Sequence, residues 1–271
     1  MTGLVRFRGR PKLNAPNLLA AWPGIGDVAT IVANYLKRKL DFKELGTVEA
    51  SHFFDPVGVV VKNNLVEAPR FPQSVFYYWK NGSGGNDLIL FLGEDQPAAK
   101  AYELANCILD TGLKFDARRV YTCAAAMTRI HHTESSRVWG VATSPPALEY
   151  LKGHLPEPAG NLHISGLNGL LLGVAKQRGI EGFCLLGEVP LYASRIPNPS
   201  AALAVTRELV KVLGIEIDLT ELNMMALESR ERIKQMAARA MEEYINLYTE
   251  PIWESGEEGG GEEEDDEEEE N

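Results

Sequence analysis

Four short apolar runs lack the alternation of a half-exposed strand: Leu18–Trp22, Leu88–Leu92, Val120–Ala126 and Phe183–Leu186. An unbroken run of this length suits a strand covered on both faces, as in a parallel sheet flanked by helices. Helical spacing lies between the runs. Val28, Ile31, Val32, Tyr35 and Leu36 share a face after Gly26. Ala101, Leu104, Ala105, Ile108 and Leu109 do so after Pro97, with Gly112 as the expected stop. Gly169–Arg178, apolar early and charged late, predicts a short buried helix. Asn198-Pro199 predicts a helix start, because Asn can accept from free amides and Pro at the first helical position forfeits no bond. Ala202, Val205, Leu209, Val212 and Leu213 share the face of that helix, and Gly214 ends it. A long helix is expected over Leu219–Tyr248, with a stripe of Leu222, Met225, Ile233, Met236, Ala240, Met241 and Tyr244.

The middle of the chain has a different rhythm. Val57–Val61, Val66 and Ser74–Trp79 are strand-like, and Pro56, Pro69, Pro72 and Gly82–Gly85 punctuate them. They predict antiparallel strands inserted between the first parallel strand and the later ones. The fold class is therefore α/β with a mixed, mostly parallel sheet. The expected organisation is an N-terminal arm over residues 1–16 and an α/β core over 17–221. A C-terminal helix over 222–250 packs on the core or on a neighbouring subunit, and a tail occupies 251–271.

Charge sharpens that division. The chain carries 38 acidic and 27 basic residues, and twelve of the acidic ones lie between Glu254 and Asn271. The rest is nearly neutral, so no basic face is implied and nucleic acid is not an expected partner. The acidic run has no apolar residues to offset its ordering entropy and is expected to be disordered. The basic N-terminus is followed by no apolar run of signal-peptide type. No apolar stretch approaches the roughly 20 residues that span a bilayer. Cys107, Cys123 and Cys184 are odd in number, widely spaced and without a Cys-x-x-Cys pair. Buried thiols in a reducing cytoplasm are the expectation.

Chemistry in an open α/β sheet is sought in the loops after the strand ends. Gly24 and Gly26, in Trp22-Pro23-Gly24-Ile25-Gly26-Asp27, allow a tight turn and close approach of a ligand to the backbone. No Gly-Lys-Ser/Thr follows, and the third glycine of a dinucleotide fingerprint is missing. Asp27 is alternatively a helix cap. Glu94 and Asp95 follow the second run; they are candidates for acid–base or metal chemistry, with Asp95 alternatively capping the next helix. Arg129, His131 and His132 follow the third run, as plain loop residues or as a ligand or subunit contact, with Arg129 able to meet an anion and His131 able to carry a proton. No His-x-x-x-His pair supports a zinc site, and no metal is expected. Glu188 follows the fourth run where a general base would sit, or where an ion pair would hold it. Asn168 is a candidate ligand contact or the cap of the helix at Gly169. Ser165 is not in a Gly-x-Ser-x-Gly elbow, so no nucleophile declares itself.

Together these loops resemble a family. WPGIGDVA, YTCAAAMTRIHH, GLNGLLLGVAKQRGIEGFCLLGEVP and IPNPSAALAVTRELVKVLGIEIDLTEL, spread over Asn17 to Leu222, are similar to the proteasome assembly chaperone family in its bacterial and archaeal branch. The GLNGLLL, RGIEG and LLGE segments are the specific part. The resemblance implies a three-layer α/β/α sandwich, phosphorylase/hydrolase-like, that self-associates as a homo-oligomer with a trimer favoured. It implies a chaperone or scaffold with no cofactor, whose partner is a proteasome-like particle. Relatives that dock on the proteasome can use a terminal hydrophobic–Tyr–any tripeptide. Glu269-Glu270-Asn271 departs from it, so docking by that route is not expected. Two enzymatic readings stand beside this one. An enzyme for a small anionic or nucleoside-like substrate would use Gly24, Gly26, Arg129 and Asn168 for binding and Glu188, Glu94 or His131 for proton transfer. An ATP-dependent carboxylate–amine ligase is the label often given to relatives, and the chain has neither a Gly-rich hairpin followed by Lys nor a paired Glu and Asn site for it.

Overall fold

The computed structural model describes residues 3–56, 58–156 and 160–249. The expected acidic tail lies outside them. The chain divides into two compact units, Met1–Arg230 and Glu231–Asn271.

In the first unit the four unbroken runs become neighbouring strands, β2 (Asn17–Ala21), β7 (Leu88–Gly93), β8 (Arg119–Thr128) and β10 (Gly182–Pro190). They lie in the order β7-β2-β8-β10, and each adjacent pair is parallel. Shorter strands extend the sheet at both sides. On one side stand β6 (Ser74–Trp79), β3 (Lys43–Val48) and the edge strand β1 (Val5–Phe7), successively antiparallel. On the other, β9 (Val138–Ala142) pairs antiparallel with β10. Five of the eight strands thus run one way, which places the exits of β2, β7, β8 and β10 along a common edge. The strand expected at Val57–Val61 is only partly present. Val57 is outside the described residues, and β4 (Val61–Lys62) forms a separate two-stranded hairpin with β5 (Leu65–Val66).

Each central strand is covered on both sides, as its unbroken apolar character requires. Leu19, Ala21, Tyr121, Cys123, Phe183 and Leu185 face α1 (Val28–Lys39), α4 (Pro145–Lys152) and α6 (Pro199–Leu213). Leu18, Ala20, Trp22, Ile89, Phe91 and Val120 face α3 (Ala101–Lys114) and α5 (Gly166–Gln177). Two helical layers around one sheet make the α/β/α sandwich. The Trp22 and Phe91 rings meet at 5.1 Å between centroids. Burying one such side chain is worth about 1.5–3 kcal/mol, so these layers are the main source of stability.

Helix ends follow the expected chemistry in part. The Asn198 side chain accepts from the Ala201 amide at 2.9 Å, Pro199 opens α6, and Gly214 closes it at φ 65°. Three expectations are corrected. Asp27 precedes α1 at φ 50° without a side-chain cap bond. Asp95 is remote from the start of α3, which begins only at Ala101, and its carboxylate accepts from the Gln96 amide. Asn168 does not cap a helix at Gly169, because α5 starts at Gly166 and Asn168 is already inside its first turn. The expected stop at Gly112 also falls two residues short of the last helical residue, Lys114, with the cap residue Phe115 still donating to the Gly112 carbonyl.

The last helix is α7 (Thr220–Thr249), and the unit boundary falls within it. In the first unit Leu222 and Ala226 pack with Tyr35 and Leu203, while the Tyr35 hydroxyl donates to the Asp218 carbonyl at 2.7 Å. In the second unit Met236, Met241, Tyr244 and Ile245 are exposed. Among the described residues, no helix is long and apolar enough to cross a membrane.

Candidate functional site

The parallel register of β8 and β10 sets Glu188 beside Ala126 and Gly187 beside Ala125. Because side chains alternate, Ala124, Ala126 and Thr128 share a face with Leu186 and Glu188. That is the α5 face, where Leu172, Leu186, Ala124, Ala126, Trp139 and Ile164 gather. Alanine is too short to fill the space beneath the start of α5. The result is a cavity of about 750 Å³ at the strand exits, floored by Ala124, Ala126 and Leu186 and walled by Gly24, Ile25, Trp139, Leu162, Ile164 and Asn168. Its volume and apolar lining are those of a small-molecule site.

Gln96 fixes two of the walls. Its Nε2 donates to the Pro23 carbonyl at 2.8 Å and its Oε1 accepts from the Leu167 amide at 2.8 Å, tying the β2 exit to the first turn of α5. Gly166 makes the approach possible. It stands at φ 71°, and a Cβ there would lie 2.7 Å from Gln96 Oε1. Asn168 is 4% exposed, and its Oδ1 has no hydrogen-bond partner among the described residues. Gly24 lies against it, with the position of a Gly24 Cβ 3.7 Å from Asn168 Nδ2.

A second depression, lined by Arg129, Glu134 and Glu188, shares Thr128, Arg137 and Trp139 with the cavity. At its base Glu188 is 1% exposed. The Arg137 Nε and Nη2 donate to the two Glu188 carboxylate oxygens at 3.0 and 3.1 Å, and the Thr128 hydroxyl donates at 2.8 Å. The Arg137 amide adds a fourth bond at 3.3 Å. Burial pushes the Glu188 carboxyl up, but the guanidinium and hydroxyl bonds outweigh it and hold the group below its ordinary value. A carboxylate so stabilised is a weak proton acceptor at neutral pH.

The structure therefore separates the predicted residues. Gly24 and Asn168 meet in the cavity, and Arg129 and Glu188 line the adjoining depression. Gly26, Glu94 and His131 line neither. Gly26 faces α6 at φ 62°, its amide donating to the Ser194 carbonyl and its carbonyl accepting from Asn198. Glu94 accepts from the Gln73 amide at 2.9 Å and so ties β7 to the start of β6. His131 lies past β8 and contacts the Thr133 hydroxyl at 2.7 Å, while its amide donates to Glu134. The His132 amide and ring meet the Tyr192 hydroxyl. The thiols are no nucleophiles: burial pushes Cys107 up to about 11 and Cys184 up to about 12, and Cys123 well above its ordinary value. Among the described residues, no three His, Cys, Asp or Glu side chains gather to hold a metal.

Sequence reasoning missed Gln96, Thr128, Arg137 and Trp139. Gln96 had a signal, a polar residue between two carboxylates and a proline at a strand exit. Arg137 and Trp139 had none, since only the pairing of β9 with β10 brings them to the site.

Comparison with known proteins supplies the relationship. A sequence profile described as the PAC2 family matches residues 18–237. A protein of Methanocaldococcus jannaschii is 30% identical over 224 residues, covering 81% of this chain and 82% of its own. The crystal structure of Pyrococcus furiosus PbaB, an archaeal proteasome activator, superposes with a TM-score of 0.74 at 30% identity, covering 86% of this chain and 98% of PbaB. That of P. furiosus PbaA, an archaeal homologue of proteasome-assembly chaperone, gives a TM-score of 0.65 at 25% identity, covering 89% of this chain and 99% of PbaA.

Proposed function

Because this chain belongs to the PAC2 family, we propose that it is a proteasome-related chaperone or scaffold, working in the cytoplasm as a homo-oligomer through protein contacts and without a catalytic cycle. The observation that carries the reading is the match to an archaeal proteasome activator across 98% of that protein's length. Surface chemistry favours it too. Val59, Val60, Val61, Leu65 and Val66 on and beside the β4–β5 hairpin are each more than half exposed. Large apolar side chains left exposed along one hairpin favour a protein contact. A trimer is the oligomer favoured, and a proteasome-like particle is the partner.

The test is affinity purification of the full chain from its native cell, with quantitative mass spectrometry of what accompanies it. Enrichment of proteasome subunits is the expected result. Recovery without any proteasome subunit overturns the reading. Light scattering at micromolar concentration should give a whole multiple of the 29.8 kDa chain mass, three being favoured. A monomer would remove the self-association from the account.

The enzyme for a small substrate remains the second reading, favoured by one observation, the cavity that Gly24 and Asn168 line. It lacks an evident base, since Glu188 is held by Arg137.

A further inference from the structure

We propose that the second half of α7 is a self-pairing surface, on which the same segment of a second copy lies antiparallel. The proposal rests on the self-association read above and names the segment that carries part of it. In the second unit, residues 234–246 of α7 are all exposed. A helix without a packed apolar face is marginal in water. The apolar residues of this stretch are not scattered. Met236, Ala237, Ala240, Met241 and Tyr244 fall within less than half of the helix circumference, and Met236, Met241 and Tyr244 are each more than half exposed.

Two observations identify the occupant as a second copy. The first is symmetry. Residues 236–241 read Met-Ala-Ala-Arg-Ala-Met, so Met236 and Ala237 precede the midpoint between Ala238 and Arg239 by the same steps as Met241 and Ala240 follow it. Turned end for end, the stripe presents the same residue types at the same levels, as a two-fold contact between identical surfaces requires. Alanine at its centre lets two backbones come close, and the flexible methionines fill the flanks. The second is charge. Residues 231–239 carry Arg232, Lys234 and Arg239 against Glu231, a net of +2, and residues 240–249 carry Glu242 and Glu243 with no cation, a net of −2. On a lone helix that order is unfavourable, because the carboxylates stand toward the negative end of the helix dipole and no basic residue stands in the last turn. An antiparallel copy sets each acidic half against a basic half and opposes the two dipoles. A parallel copy sets like charge against like, and it brings the acidic runs of Glu254–Asn271 out at one end. Those carboxylates also repel an anionic lipid surface. Each antiparallel contact joins two copies, or two rings of copies.

The experiment is disulfide cross-linking of the full chain. Ala237→Cys and Ala240→Cys are made in two differently tagged chains and co-expressed, and Tyr244→Cys is made alone. All three positions are exposed, so the variants keep the fold, which circular dichroism checks. The native Cys107, Cys123 and Cys184 are buried and do not compete. In the antiparallel pair, position 237 of one copy is level with position 240 of the other. The two copies of position 244 then stand eleven residues apart along the axis, about 16 Å, beyond the reach of a disulfide. Mild oxidation should therefore give about tenfold more dimer between the two tagged chains than Tyr244→Cys gives with itself. Equal or stronger cross-linking of Tyr244→Cys overturns the proposal in favour of a parallel bundle. No cross-link between the tagged chains, with light scattering still at a multiple of the chain mass, overturns the helix pair and leaves self-association through the rest of the molecule. A monomer by light scattering with no cross-link removes the self-association reading and the helix pair together.

Discussion

The two faces of β8 and β10 are opposites at the same level of the sheet. On the α6 face Gly187 has no room, since a Cβ there would lie 2.8 Å from Val205 Cγ2 and 3.1 Å from the Ala201 carbonyl oxygen. On the α5 face, one residue away in each strand, Ala124, Ala126 and Leu186 lie under open space. The same small-residue composition thus does two jobs. Glycine lets a helix close onto the sheet, and alanine under a helix that starts late leaves a cavity. Smallness alone does not tell which; the position of the helix above decides it.

That contrast can be broken by adding volume to each face. Gly187→Val should cost about 3 kcal/mol, because the neighbours that must move are a backbone carbonyl and a packed valine. Chemical denaturation should show it as a lower midpoint with an unchanged slope. A cost under about 0.5 kcal/mol would mean that the close packing is not real. Glu188→Gln comes next. It removes the charged partner of Arg137 and Thr128, at about 2 kcal/mol near pH 7. The folded Glu188 carboxyl lies below its ordinary value, so its stabilisation is complete above the unfolded value of about 4.3 and is lost as pH falls through the folded one. Melting curves of the two proteins should therefore differ by a constant amount at neutral pH and converge under acid. A gap that widens under acid would contradict the pairing. Ala126→Val is the smallest, within about 0.5 kcal/mol, because its new methyl groups enter the cavity. A large loss there would show the space to be closed in solution.

Legibility follows the same division. The central strands were readable because burial on both faces removes polar residues, leaving Leu18–Trp22 and Phe183–Leu186 unbroken. The outer strand β3 was not, because Lys43-Glu44 and a register shift before Gly46 hide its period. Gly24 was legible as a glycine in the loop after the first apolar run, and Asn168 as a polar candidate near a helix start. Only the cap alternative for Asn168 fails, because Gly166 at φ 71° starts α5 three residues before Gly169. Glu188 was legible as a lone carboxylate but its partners were not. Thr128 reaches it through the β8–β10 pairing and Arg137 through the start of β9, and both depend on contacts 51 to 60 residues apart.

Native mass spectrometry of the full chain mixed with purified proteasome core particles of its host tests the functional account most directly. The account predicts a new species heavier than the particle by a whole multiple of the 29.8 kDa chain. Particle and chain flying separately, with the particle at its own mass over the full range of chain concentrations, would contradict it.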